Sequence, residues 1–161
     1  MLSTILIKLI PLETVYAHCD IPCGIYDPTP MQISAHSILR FTQMLLESEK
    51  EDNAIARQHK TIRITVAKEE HGKRIEEEIG TLEHDYFKEE HYSGNPELKT
   101  TIEDAIKLSI KTRQGVDIVS SQELLDKVLK ISEIFYKTKG MTPVRVPSIY
   151  PTKGEIVTYK A

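Results

Sequence analysis

Residues 53–87, NAIARQHKTIRITVAKEEHGKRIEEEIGTLEHDYF, decide whether this chain is helical throughout or carries a sheet. The second half of the stretch is clear. Ile75, Ile79, Leu82 and Tyr86 recur at three- and four-residue steps with Glu and Lys around them, which is one apolar stripe on a helix. The first half holds Thr61-Ile62-Arg63-Ile64-Thr65-Val66, an alternation that local propensity alone assigns to a strand. No partner strand follows, and the surrounding charge pattern is helical. The whole stretch from Asn53 to Phe87 therefore reads as one long helix.

Working outward, residues 30–50 place Met31, Ala35, Ile38, Leu39, Thr42, Leu45 and Leu46 at helical spacing. Asn95-Pro96 reads as a helix start, an N-cap with Pro at the first helical position, and Leu98, Ile102, Ala105, Ile106 and Ser109 carry that helix to about Arg113. Gly115 breaks it. Ser120 with Glu123 makes a capping box for a last helix through Leu124, Val128, Ile131 and Phe135, which Gly140 ends. Four amphipathic helices with short connections predict an all-α fold, an antiparallel four-helix bundle. Residues 141–161 depart from this. Pro143, Pro147 and Pro151 with the run Glu155-Ile156-Val157-Thr158-Tyr159 predict an extended C-terminal tail, either wrapped on a neighbouring subunit or loose.

The 161 residues suit one domain with a buried core. Lys+Arg 21 against Asp+Glu 24 gives a net charge of −3, too balanced to point to nucleic acid or a membrane surface. Two cysteines do not make a disulfide scaffold. They stand four positions apart, at Cys19 and Cys23, and the segment before them reads differently from the rest.

In residues 1–17, MLSTILIKLIPLETVYA, the apolar run from Ile5 to Ile10 is broken by Lys8 and ended by Pro11. It is too short to cross a bilayer, which takes roughly 20 residues. Val15-Tyr16-Ala17 ends in the small residue that signal-type peptidases accept. The segment reads as a removable leader, a weak secretory signal or a propeptide; Lys8 and Glu13 favour a propeptide trimmed by a cytoplasmic processing protease over export. Cleavage after Ala17 makes His18 the amino terminus of HCDIPCGIYDP, residues 18–28. A free amine, an imidazole and the Cys19 thiolate then lie within two residues, and Cys23 brings a second sulfur once the chain turns at Pro22 and Gly24. Zinc usually takes side chains from two separated knuckles, and no second Cys/His pair stands at such spacing here. A set of thiolates, an amine and a deprotonated amide favours square-planar coordination, hence nickel(II) or copper(II), and binding strength alone does not choose between them.

The string HCDIPCGIYDP closely resembles the nickel hook of nickel-dependent superoxide dismutases, whose mature chains begin His-Cys-x-x-Pro-Cys-Gly-x-Tyr. Asp85-Tyr86-Phe87-Lys88 matches the family's DYFK segment, and Pro96-Glu97-Leu98 and Ile134-Phe135-Tyr136-Lys137-Thr138-Lys139 resemble it too. The resemblance spans roughly residues 18–140 and implies three segments: a propeptide over 1–17, a nickel-hook bundle over 18–140, and an extension over 141–161. It implies a superoxide dismutase cycling nickel(III)/nickel(II), one nickel per subunit, in a homohexamer with the hooks between subunits. The implied metal ligands are His18 (amine and axial imidazole), Cys19 (amide nitrogen and sulfur) and Cys23 (sulfur). Tyr26 and Tyr86 match the family's tyrosines near the metal, where their hydroxyls order water and limit access. For Tyr86, on the apolar stripe, core packing is the competing reading.

Three positions depart from the family. Well-known members orient the axial imidazole through a Glu on the first helix and an Arg on the second. The corresponding positions here are Ser34 and His71, and Glu83 stands where a Trp is usual. That altered pair motivates the alternative of a non-enzymatic, redox-silent nickel-binding bundle; a metal-free Cys19/Cys23 redox module is favoured least, because no thioredoxin-like βαβ pattern accompanies the cysteines. His36, His59, His84 and His91 read as solvated, and Glu76, Glu77 and Glu78 as a solvated carboxylate face.

Overall fold

Helix α2 (Ala54–Thr81) runs straight through the strand-like stretch. Residues two apart on a helix lie on nearly opposite faces, so Ile64 points into the core at 5% exposure while Ile62 and Val66 stay exposed. The alternation that mimics a strand is thus a helix with one inward and two outward apolar residues. Asn53 starts the helix, its side-chain oxygen accepting the N–H groups of Ile55 and Ala56 at 3.1 Å.

A computed structural model describes residues 23–160 of the chain. It is mostly helical, with α1 (Thr29–Ser48), α2, α3 (Glu89–Gly94), α4 (Leu98–Gln114) and α5 (Ile118–Thr138). Each long helix packs on two others: α1 on α2 and α5, α4 on α5 and α2. Between them lie Met31, Ile38, Ile75, Ile79, Leu98, Ile102, Leu124 and Ile131, all at 1% exposure or less. Burying each such side chain is worth about 1.5–3 kcal/mol. Leu46, expected on the inner face of α1, is half exposed.

Two helix starts differ from the sequence expectation. Asn95 and Pro96 form the turn before α4 rather than its first residues, and Asn95 C=O accepts the Leu98 N–H at 2.9 Å. The cap of α5 is Asp117, not Ser120. Its carboxylate accepts the Val119 N–H at 2.9 Å and the Ser120 hydroxyl at 2.5 Å. A carboxylate suits the positive end of the helix dipole better than a hydroxyl does. Glu76 also departs from the solvated face expected of it. Arg113 donates to both of its oxygens at 2.9 and 3.0 Å and to Glu69 at 3.0 Å, tying α4 to α2. Gly72 makes room for this, since a Cβ there would come within 2.4 Å of the Arg113 side chain.

The C-terminal segment is extended, as expected, but it is not a loose tail. Strands β1 (Thr142–Pro147) and β2 (Glu155–Lys160) form an antiparallel hairpin packed on α5 of the same chain and hydrogen-bonded to α1. The reason lies on α1, where two buried polar side chains stand one turn apart. Gln32 acts as a short third strand: its amide donates to Val157 C=O at 3.1 Å and accepts the Val157 N–H at 2.7 Å. His36, expected to be solvated, is 3% exposed. Its Nε2 donates to Glu155 C=O at 3.0 Å, so Nδ1 accepts from the Thr152 hydroxyl at 2.8 Å. Burial pushes the His36 pKa down, and the carbonyl of Glu155 opposes that in part. The outer edge of the hairpin is closed chemically. Pro143, Arg145 and Pro147 oppose Tyr159, Val157 and Glu155, the pairs whose backbone groups face away from each other. Two of the three outward positions on β1 therefore lack an N–H, which blocks further strand pairing.

Candidate metal centre

His18 and Cys19 lie outside the described residues. The third expected ligand, Cys23, is exposed. Gly24 follows with φ +70°, the left-handed region that costs glycine nothing, and turns the chain sharply after the sulfur. Asp27 then accepts the Thr29 N–H at 2.7 Å and Pro28 is buried, so the stem of the segment is fixed where α1 begins.

Tyr26 and Tyr86 come together: their ring centroids are 5.3 Å apart at 48°. A break in helical register places Tyr86 there. Leu82–Tyr86 form a π-helical turn in which Phe87 N–H donates to Leu82 C=O at 2.7 Å. The extra residue per turn passes the next inward position to Phe87, at 5% exposure, and leaves Tyr86 half-buried at the rim. The stripe Ile75, Ile79, Leu82 thus continues into Phe87 and not Tyr86, which weakens core packing as the whole explanation of this tyrosine.

Tyr86 is held from several sides. Phe135 lies 4.8 Å away, Phe87 5.2 Å, and His91 stacks on it at 5.4 Å and 20°. Its hydroxyl lies 2.8 Å from Thr138 Oγ1, which donates to Phe135 C=O at 2.7 Å. The proton between Tyr86 and Thr138 therefore belongs to Tyr86, and toward the rim its oxygen accepts. Burial raises the phenol's pKa, against a smaller lowering by the Thr138 bond, so it stays protonated at neutral pH. His91, expected to be solvated, is part of this cluster; its Nδ1 accepts the Lys88 N–H at 3.1 Å. His59 and His84 are exposed as expected. No sequence pattern announced His91 or Thr138, because both roles depend on the π-helical turn.

Ser34 and His71, picked out as departures, face each other. Ser34 is fully buried and its Oγ lies 3.4 Å from His71 Nδ1. Burial lowers the His71 pKa, helped by the nearby Arg74 and opposed by Glu70. His71 also packs on Phe41 at 5.5 Å.

Among the described residues no group of three or more His, Cys, Asp or Glu side chains is arranged to hold a metal ion. Thiolates and nitrogens of the kind His18, Cys19 and Cys23 carry are a donor set suited to nickel, and Cys23 is an exposed residue directly before the turn at Gly24. No described helix is long and apolar enough to cross a membrane.

Known proteins of one family are similar to this chain. Residues 13–139 match the family model for nickel-containing superoxide dismutase. Proteins named superoxide dismutase [Ni] from Streptomyces seoulensis and Streptomyces coelicolor are each 33% identical over 129 residues, covering 80% of this chain and 93% of theirs. A crystal structure of a nickel-containing superoxide dismutase, with its nickel ligated as in the oxidised state, superposes with a TM-score of 0.68. That match has 33% identity over 76% of this chain and 99% of the solved one. A native structure at 1.30 Å gives a TM-score of 0.67 and 32% identity over the same shares.

Proposed function

We propose, for a chain that belongs to the family of nickel-containing superoxide dismutases, that His18, Cys19 and Cys23 hold the metal and that Tyr26 and Tyr86 form the rim of its site. The protein is an enzyme that uses nickel to disproportionate superoxide. Bound nickel supplies the one-electron couple through which one superoxide leaves as oxygen and a second, with two protons, as hydrogen peroxide.

The ligands in this reading are the His18 amine and imidazole, the Cys19 amide nitrogen, and the two sulfurs. Anionic sulfur and amide donors stabilise the higher oxidation state, which aqueous nickel reaches only with difficulty. Leader removal over 1–17 creates the amine. Tyr26 and Tyr86 narrow the approach, and the Tyr86 oxygen, its own proton committed to Thr138, accepts from water. Excluding bulk solvent also slows oxidation of the thiolates by the peroxide product. Ser34 and His71, 3.4 Å apart, stand at the positions the resemblance assigns to an orienting pair, and would steady the His18 imidazole with weaker polar groups. The four long helices make the antiparallel bundle, the subunits assemble as a homohexamer, and processing occurs in the cytoplasm.

The observation that carries the site assignment is the run from His18 to Gly24, ending in an exposed cysteine and a left-handed glycine directly before the Tyr26–Tyr86 pair. Cys19→Ser and Cys23→Ser variants test it. Each is expected to lose nickel and to reduce superoxide removal to background while keeping its helical content. A double variant with full activity overturns the assignment.

A further inference from the structure

Tyr86 ends the π-helical turn, and the helix does not continue beneath it. Phe87 leaves in an extended conformation, φ −71° and ψ 132°. Glu89 and Glu90, which a continuing α-helix would set beside Tyr86 three and four positions on, are exposed instead. The residue five positions on takes that place. His91, in the first turn of α3, lies nearly parallel to the Tyr86 ring, with centroids 5.4 Å apart at 20°, and meets Phe87 edge-on at 6.0 Å and 82°. The rings of Tyr26, Phe87 and Phe135 meet Tyr86 at 48°, 65° and 44°. Among the described residues, His91 is therefore the ring laid along a face of Tyr86. The imidazole is itself fixed. Its Nδ1 accepts the Lys88 N–H at 3.1 Å, which leaves the proton on Nε2, and Asn95 Nδ2 donates to the His91 C=O at 3.0 Å.

We infer that His91 is a positioning residue for superoxide removal, its ring holding the Tyr86 hydroxyl at one place on the rim; the role rests on the placement of the site beside Tyr26 and Tyr86. The Thr138 bond fixes the phenol at one atom, and a ring held only there pivots about that oxygen. A ring stacked along its face removes the pivot. Such a pair favours the held orientation by about two- to tenfold. The side chain thus has two separable duties. Its Nδ1 is the acceptor that starts α3, which serves stability, and its ring serves the tyrosine.

Two variants each keep one duty. His91→Gln keeps an acceptor for the Lys88 N–H and removes the ring; His91→Phe keeps a ring and removes the acceptor. In nickel-loaded protein His91→Gln is expected to melt near wild type yet remove superoxide about two- to tenfold more slowly, while His91→Phe melts lower and keeps its rate within about twofold. Rates that follow the melting temperatures of the two variants overturn the inference. Lys88 is an exposed charge in the same segment, so rates are compared at low salt and at about 1 M, where screening acts within about 3 Å. The His91→Gln defect should persist in salt; one that vanishes is an effect of charge and overturns the inference. The phenol gives a readout that needs no turnover. With an isotope label at the tyrosine ring carbon that bears the hydroxyl, the Tyr86 resonance is identified by its loss in Tyr86→Phe. It should titrate at lower pH in His91→Gln than in wild type, because water reaches the uncovered face and burial no longer raises the pKa as far. An unchanged titration overturns the inference. Tyr86→Phe also separates two failures. If it slows the enzyme while His91→Gln does not, only the positioning role fails; if neither has an effect, the placement of the site fails as well.

Discussion

The segment from Cys23 to Pro28 and the hairpin from Thr142 to Lys160 both meet the amino-terminal half of α1, and they are held in opposite ways. The first is a string of mostly exposed residues anchored at its stem by Asp27 and Pro28, with its chemistry carried by neighbours in sequence. The second contributes none of the proposed ligands, yet it is fastened by amide and imidazole bonds of the buried Gln32 and His36 that span more than a hundred residues of chain. The proposed reactive residues lie in an exposed segment, and rigidity sits where burial makes unpaired polar groups costly. The comparison with solved relatives points the same way. Their whole length matches 76% of this chain, and the family match ends at residue 139, just before the hairpin.

If that division is real, changes at the two regions should be separable. The largest effect is expected from moving one atom of the hook. Inserting a single Ala between Ala17 and His18 in the trimmed protein displaces the amine and should abolish nickel binding and activity together, with the melting temperature of the helical core unchanged; metal analysis and calorimetry check this. Next comes the hairpin. Gln32→Leu leaves the Val157 N–H and C=O without partners, a loss of about 2–3 kcal/mol and about 4–12 °C in Tm for a chain of this size. Nickel content and rate should stay near wild type at 25 °C. Loss of nickel in that variant would break the comparison.

Two smaller effects sharpen it. Thr138→Val removes the acceptor that holds the Tyr86 hydroxyl, and a severalfold fall in rate without loss of nickel is expected from steady-state assays. The hairpin should also be acid-sensitive through His36. Its folded pKa lies below the unfolded value of about 6.5. As pH falls, the unfolded chain takes the proton first, so this contribution is whole above about pH 6.5 and declines below it. Thermal melts from pH 8 to 5 should show a drop that is absent in His36→Gln.

Much of the helical fold was legible because apolar spacing and caps are local. Thr61–Val66 could be taken for a strand only while each residue was weighed alone; the absence of a partner and the charges around it settled it as helix. The hairpin was half legible. Three prolines and an alternating run indicate extended chain, but its seat depends on Gln32 and His36, which look like ordinary helix-surface polars until β2 is brought against them. Tyr86 misled for a related reason. A period of 3.6 continues its stripe inward, whereas the π-helical turn hands that place to Phe87. Asp117 outcompeted Ser120 as a cap because both signals were present three residues apart. The proposed ligands, by contrast, needed no folded context, since the donors are adjacent in sequence.

Intact mass and nickel content measured on one sample of the purified, active enzyme probe the proposal at its root. Chains that begin at His18 and carry nickel in step with their activity are the expected result. Chains that still begin at Met1 and remove superoxide at the full rate would contradict the proposal that the His18 amine binds the metal.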